Sequence, residues 1–409
     1  MRPKLFRAAA AFTLMGFVVL AGCGASVETT SATPAKLGRE DIAKSAPPDT
    51  APQAAIAPSV AKSADVASAI PGFDEPPHFF LQEDGGVIAR WISDGRVKLR
   101  TFAEGEAIVM PEFASLIGDS LPTNVAKTPT CKWDMPARLI ALSDVEGQYD
   151  SLLTFLKSNG VVDEDGRWAY GEGHLVGVGD MVDRGSQVTE VLLLFYRLSF
   201  EASAAGGHVH FIIGNHEAMM MAGDIRYTAP KYNQIAELLG VSCEGLIGAD
   251  TLIGRWLRSC NCIERIGDYL FVHAGLSPQT VRTSLDYEGI NDSVRSVLGV
   301  PRNKLTDAAK MELSWGRSGP LWYRGYFPKH HLSFGPTPTV DQFQALLARC
   351  QAKHIVVGHT KVAKVATMYA GGLIPIDIPW TSPAEVRALV VEKGQAGLVD
   401  IRGEQSLLQ

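Results

Sequence analysis

Beyond residue 22 the chain has no apolar run approaching the ~18 residues that a membrane-crossing helix needs, so none is expected in the mature protein. Positive charge is scarce too: 38 Lys and Arg stand against 44 Asp and Glu, a formal net charge of −6. That balance excludes the electrostatic footprint of a general nucleic-acid binder, and no nucleic-acid partner is expected. Residues 24–70 hold no aromatic side chain but 13 Ala, 5 Pro and 6 Ser. Such a composition buries too little surface to offset chain entropy, so residues 23–72 read as a disordered tether. No internal repeat occurs.

The chain begins with a basic segment (Arg2, Lys4, Arg7) and an apolar stretch from Ala8 to Leu20. Leu20-Ala21-Gly22-Cys23 follows and resembles a bacterial lipobox. The resemblance implies that residues 1–22 are a lipoprotein signal peptide and that Cys23 is acylated. It also implies a lipid anchor in the bacterial cell envelope. Gly24 in place of Asp points to the periplasm-facing outer membrane. Of the 6 cysteines, Cys131, Cys243, Cys260, Cys262 and Cys350 then remain. Cys243 with Cys260 or Cys262 makes a plausible disulfide across a helical insert. Cys260-Asn261-Cys262 has no second pair to complete a zinc site, so a disulfide or buried free thiols are expected.

Of the 409 residues, 46% are hydrophobic and 20% charged, enough for a sizeable core. Residues 73–136 alternate around Gly and Asp-Gly turns and read as a small β-rich accessory segment. From Ala137 the pattern becomes strand, loop, helix. Apolar runs at Leu139–Leu142, Leu175–Val178, Val209–Ile213, Tyr269–Val272, Ile355–Val357, Leu373–Ile378 and Ala388–Val391 predict strands. Leu152, Leu153 and Leu156 mark a helix ended by Asn159-Gly160, and Val191–Leu198 marks another. This rhythm predicts a layered α/β domain over 137–392, with inserts near 224–266 and 285–345 and a C-terminal tail over 393–409.

Polar residues follow five of these strands: Ser143-Asp144-Val145-Glu146-Gly147, Gly179-Asp180-Met181-Val182-Asp183-Arg184-Gly185, Gly214-Asn215-His216-Glu217, His273-Ala274-Gly275 and Gly358-His359-Thr360. Carboxyl ends of strands line the ligand crevice of an α/β sheet, so these distant residues can converge. Asp, Asn and His suit divalent transition metals, and two ions can share a bridging Asp. Other polar groups carry no site role. His208 and His210 share one strand face and read as structural, His174 and His354 begin strands and are assigned nothing, His330-His331 sits in a polar loop and reads as solvated, and Glu217 reads as a helix-start charge or as a partner to a ligand residue.

The motif set resembles the metallophosphoesterase superfamily, in its phosphoprotein-phosphatase branch that includes calcineurin. Met221–Tyr227 and Gly319–Arg324 are similar to the bacterial Shewanella-like phosphatases. The resemblance implies a four-layer αββα sandwich and a hydrolase of phosphomonoesters that uses two divalent metal ions, Mn first, with Fe or Zn possible. It implies metal ligands at Asp144, Asp180, Asn215, His273 and His359, with Asp180 bridging. His216 would be the general acid, oriented by Asp183. Arg184 would grip phosphate, with Arg324 or its rival Arg226 as a second arginine. Where the family has Asp-x-His, this chain has Asp144-Val145-Glu146: either Glu146 ligates, or the first metal is weak or absent. Phosphorylated protein or a small phosphoester is the expected substrate. A nucleotide or diadenosine polyphosphate hydrolase and an inactive binding lipoprotein with the same fold are the alternatives.

Overall fold

The computed structural model describes residues 71–123, 128–283 and 285–409. The expected signal peptide, Cys23 and all but the last two residues of the expected tether lie outside the described residues. Among the described residues no helix is long and apolar enough to cross a membrane.

The first strands, β1 (Glu75–Leu81), β2 (Val87–Ser93) and β3 (Arg96–Phe102), form an antiparallel sheet in the order β1-β2-β3. Asp94 and Gly95, both at positive φ (49° and 69°), make the two-residue turn between β2 and β3. That conformation matches the strand twist, and Asp-Gly tolerates it. The sheet is tied down through Glu75, which is 2% exposed. Its carboxylate accepts from Thr189 Oγ1 at 2.5 Å and Lys231 Nζ at 3.0 Å, and meets His78 Nε2 at 3.1 Å. Thr189 and Lys231 belong to the helices Val188–Ala204 and Lys231–Leu239.

Eleven further strands build two sheets. They are β4 (Lys132–Trp133), β5 (Arg138–Leu142), β6 (His174–Gly177), β7 (His208–Phe211), β8 (Ile263–Ile266), β9 (Tyr269–Val272), β10 (His354–Val357), β11 (Leu373–Pro375), β12 (Arg387–Glu392), β13 (Gln395–Asp400) and β14 (Gln405–Leu407). One sheet has the order β14-β13-β12-β5-β6-β7, the other β11-β10-β9-β8-β4. Strands β5, β6 and β7 run parallel, as do β9, β10 and β11.

Alternate residues of each strand serve two cores, which is why the strands read as unbroken apolar runs. Leu139, Ala141, Val176, Val178 and Ile212 meet Phe271, Val356, Ile374 and Ile376 between the sheets. Ile140, Leu142 and Leu175 face outward with Leu152, Phe155, Leu192 and Phe195 of the covering helices. Ile355, Val357 and Leu373 do the same with Phe343 and Leu347 of the helix Val340–Arg349. The result is the expected four-layer αββα sandwich.

Two expectations need correction. Residues 393–409 are not a tail: β13 pairs antiparallel with β12, and β14 with β13. The hairpin turn is Lys393-Gly394, both at positive φ. The 224–266 insert is not wholly helical, because it ends in β8, a short strand between β9 and β4 in the second sheet. Of the disulfide and the buried free thiols that the sequence left open, the second is found: Cys131, Cys243, Cys260, Cys262 and Cys350 are all free and buried, and behave as small apolar side chains.

Candidate active site

The loops that leave the carboxyl ends of β5, β6, β7, β9 and β10 bring the five motifs together. The β5 and β6 loops run side by side: Asp144 N donates to Gly179 O, Glu146 N to Asp180 O and Gly147 N to Met181 O, each at 3.0 Å. The turns are tight. Among the described residues, six of the eleven non-glycine residues at positive φ are Asp144, Glu146, Asp180, Asp183, Arg184 and His359. Left-handed backbone at non-glycine residues costs roughly 1–3 kcal/mol each, so strain is concentrated at this one place. Gly358 is required here, because a Cβ would collide with Ser143 Oγ and Asp144 Oδ2.

Asp180 is the hub. Its Oδ1 accepts from His216 N at 2.9 Å, and its Oδ2 lies 3.2 Å from His273 Nε2. Burial opposes its charge, but His273 and His216 outweigh burial and hold its carboxyl far below the usual range. His273 donates from Nδ1 to Val178 O at 2.8 Å, while Nε2 faces Asn215 Oδ1 at 3.0 Å. With its ring proton committed to Val178, a neutral His273 points a lone pair at two acceptor oxygens. A cation satisfies that arrangement; a neutral hydrogen bond does not.

One donor atom each of Asp180, His273 and His359 lie within 4.8 Å of one another, all three residues buried. His359 Nε2 is buried without a hydrogen-bond partner. Asp144 Oδ2 accepts from His359 N at 3.0 Å and from Ser143 Oγ. Burial, then Asp377 and Asp180, push the Asp144 pKa well up. Buried acids, an orphaned imidazole nitrogen and opposed acceptors together fit divalent metal.

Beside this cluster, His216 Nδ1 meets Asp183 Oδ2 at 2.7 Å, and Thr228 Oγ1 donates to Asp183 Oδ1 at 2.6 Å. Burial discourages the His216 charge, but Asp180 and Asp183 outweigh it and raise its pKa. Arg184 Nη2 reaches His216 Nε2 at 3.2 Å, and its Nη1 lies on Glu146 Oε1. The Glu146 carboxylate therefore lies against arginine, with its Oε1 buried and in no regular hydrogen bond. The Tyr227 ring, 46% exposed, stands 5.1 Å from the His216 ring and 5.6 Å from the Arg184 guanidinium.

Of the two rival arginines, Arg324 is the one on the His359 side: it donates to Thr360 Oγ1 at 3.3 Å and lies 3.5 Å from His359 Nδ1. Arg226 instead makes a two-pronged pair with Asp224, both bonds 2.7 Å. Its position in sequence next to Tyr227 could not reveal that preference.

Sequence reasoning undervalued Glu217. It is fully buried and does more than start a helix. Its carboxylate accepts from Gly214 N, its own helix cap, and from Asp180 N, Met181 N and Val182 N, at 2.7 to 3.3 Å. It thus clamps the β6 loop to the β7 loop. Asp377 was missed because the apolar run Leu373–Ile378 hid it inside an expected strand. The strand stops at Pro375, which leaves Asp377 at a carboxyl end like the other site acids. Among the histidines given no site role, His174, His208 and His210 lie on β6 and β7, away from the motif loops. His210 meets Glu264 at 2.6 Å and His174 at 3.0 Å, and His208 stacks on Trp133. Burial pushes His210 down to about 3 and Glu264 up to about 7.

Comparison with known proteins agrees with this geometry. The model of the family described as "Calcineurin-like phosphoesterase" matches residues 137–363. The crystal structure of a cold-active protein-tyrosine phosphatase from a psychrophilic Shewanella species superposes with a TM-score of 0.74 and 34% identity. It covers 82% of this chain and 100% of the other. Shewanella-like protein phosphatase 2 of Arabidopsis thaliana is 28% identical over 206 residues, 40% of this chain and 52% of that protein. Shewanella-like protein phosphatase 1 of Plasmodium berghei is 25% identical over 256 residues, 58% of this chain and 64% of that protein. The chain thus spans about half to two thirds of the length of these curated relatives.

Proposed function

This chain belongs to the calcineurin-like phosphoesterase family, and we propose that it is a metal-dependent phosphomonoesterase acting on phosphoprotein, with phosphotyrosine its preferred ester. The carrying observation is the convergence of Asp180, His273 and His359 beside the His216–Asp183 pair. Asp180, Asn215, His273 and His359 would hold one divalent ion; Asp144 and Asp180 would contribute to a second. When bound, these ions supply Lewis-acid activation of water and neutralise charge on the phosphoryl group.

The chain's own groups do the rest. Arg184 and Arg324 offer planar forks to phosphoryl oxygens on two sides. His216, kept protonated by Asp183, gives its Nε2 proton to the departing oxygen, while Thr228 holds Asp183 in place. The exposed Tyr227 ring beside His216 offers a face to an aromatic leaving group, in keeping with the tyrosine phosphatase likeness.

The test is hydrolysis of p-nitrophenyl phosphate, phosphotyrosyl and phosphoseryl peptides, and a dinucleoside polyphosphate, each with and without Mn²⁺. Mn²⁺-dependent turnover led by the phosphotyrosyl peptide is expected. Turnover of the dinucleotide alone would favour the nucleotide-hydrolase alternative, and no turnover at all would leave the fold as a binding lipoprotein. The lipobox supports a lipid anchor at Cys23 in the cell envelope. Cys23→Ser should move the protein from the membrane to the soluble fraction, and unchanged detergent partitioning would refute the anchor.

A further inference from the structure

The chain has a net charge of −6, but its charges are unevenly spread. Residues 313–376 hold seven Lys and Arg and a single acid, Asp341. The fold sets part of that excess at the rim of the cleft. Arg324 donates to Thr360 Oγ1 at 3.3 Å, which ties its segment to the loop after His359. From Arg324 the backbone turns twice, with Phe327 N donating to Arg324 O at 3.2 Å and His330 N to Phe327 O at 2.9 Å. Those turns bring Lys329 back to the same loop, where its Nζ donates to Lys361 O at 2.6 Å.

Lys329 and Lys361 are both exposed. The bond to Lys361 O uses one of the three Nζ donors of Lys329 and none of its charge. Among the described residues, no carboxylate oxygen lies within 4.0 Å of either ammonium group. Asp377 adjoins this loop, its backbone O accepting from Val362 N at 3.2 Å, but it is 1% exposed and forms no ion pair with Lys361. The acids of the motif loops, Asp144 and Asp180, are buried at 4% and 2% exposure. Two cations held at one loop without a counter-charge repel each other until an anion joins them.

We propose that Lys329 and Lys361 form a ledge that docks acidic residues flanking the phosphorylated residue of a protein substrate. The inference rests on the phosphoprotein reading above and narrows its substrate class to segments with Asp or Glu beside the phosphoryl-bearing residue. Arg324 meets the phosphoryl group, and the ledge that starts from Arg324 meets the side chains next to it. Lys361 lies two residues beyond His359, a span of at most about 7 Å, so a carboxylate one to three residues from the phosphoryl group comes within reach. Exposed charges of this kind steer encounter and binding rather than the chemical step. An anionic membrane surface is the competing occupant; continuity of the ledge with Arg324 favours the substrate.

The experiment measures kcat and KM of the full chain on phosphotyrosyl peptides that differ only in their flanks, which are Asp, Asn or Lys, with p-nitrophenyl phosphate as the substrate without flanks. Wild type should show its lowest KM on the Asp-flanked peptide. That advantage should fade in about 1 M NaCl, where the screening length is about 3 Å. Lys361→Gln and Lys329→Gln should each raise that KM about 2–5-fold, the size of an exposed ion pair. Their kcat values, and their kinetics on the Asn-flanked peptide and p-nitrophenyl phosphate, should stay unchanged. Lys98→Gln, at an exposed lysine of β3, controls for net charge and should alter nothing. Equal KM on the three peptides, or an Asp advantage that survives both substitutions, overturns the proposal. So does loss of sedimentation with phosphatidylglycerol vesicles in the lysine variants while peptide kinetics stay unchanged, which assigns the ledge to a membrane. If Lys329→Gln disturbs turnover of p-nitrophenyl phosphate through the loop it holds, Lys361→Gln alone decides. Turnover of phosphopeptides without flank dependence fails this inference and leaves the phosphoprotein reading standing; no turnover of any phosphopeptide fails both.

Discussion

Replacing His216 by Asn isolates proton delivery from metal binding. The imidazole is 4% exposed, held at Nδ1 by Asp183 at 2.7 Å, and its Nε2 lies 3.7 Å from Asp180 Oδ2 and 3.2 Å from Arg184 Nη2. It is not among the three residues whose donor atoms converge, so its loss should leave metal content unchanged. General acid catalysis is worth about 10²–10⁴-fold, which is about 3–5 kcal/mol of barrier. A tyrosyl oxygen, whose phenol has a pKa of about 10, departs poorly without a proton, whereas p-nitrophenolate departs easily. The loss in kcat should therefore be near the top of that range on a phosphotyrosyl peptide and much smaller on p-nitrophenyl phosphate. Asp183→Asn removes one of the charges that raise the His216 pKa, so the alkaline limb of kcat should move to lower pH. Asp180→Asn should lose metal and activity together. Equal losses of His216→Asn on both leaving groups, or metal stripped as thoroughly as in Asp180→Asn, would refute the acid role.

Glu75→Ala should destabilise the protein by about 3–5 kcal/mol, because it strands Lys231, His78 and Thr189 in a buried network; urea unfolding at pH 7 measures it. Burial opposes ionisation of Glu75, but His78 and Lys231 outweigh it and lower its pKa, so its contribution is present above pH 4.5 and lost as pH falls below that. Unchanged stability of Glu75→Ala at pH 7 would show the network to be idle. Gly358→Ala should cost about 1–3 kcal/mol by overpacking against Ser143 and Asp144 and should impair metal loading, read by thermal unfolding and elemental analysis. Mn²⁺ should restore a chelator-treated enzyme better than Zn²⁺; the reverse order in an activity assay would argue against a carboxylate-rich site at Asp144 and Asp180. A thiol titration should detect no free cysteine in the folded state and, after denaturation without reductant, all of Cys131, Cys243, Cys260, Cys262 and Cys350; fewer would reveal a disulfide.

The sequence by itself determined whatever depends on neighbours along the chain. Apolar runs such as Leu139–Leu142 and Tyr269–Val272 marked strands because both of their faces are buried, and the polar residues after them had to emerge at one edge. Asp144, Asp180, Asn215, His273 and His359 could be named for that reason. Only the tertiary structure decided matters that turn on contacts between distant segments. The Glu217 carboxylate reaches across to the β6 loop, Arg324 faces His359 while Arg226 turns to Asp224, and Glu146 meets Arg184. Asp377 lies inside an apolar run, and its place at a carboxyl end came from β11 ending at Pro375 against β10. Residues 393–409 joined the sheet because β12 offered an open edge. Spacing sets where a side chain leaves the backbone; packing of loops far apart in sequence sets which partner it finds, and that partner determines its charge and its chemistry.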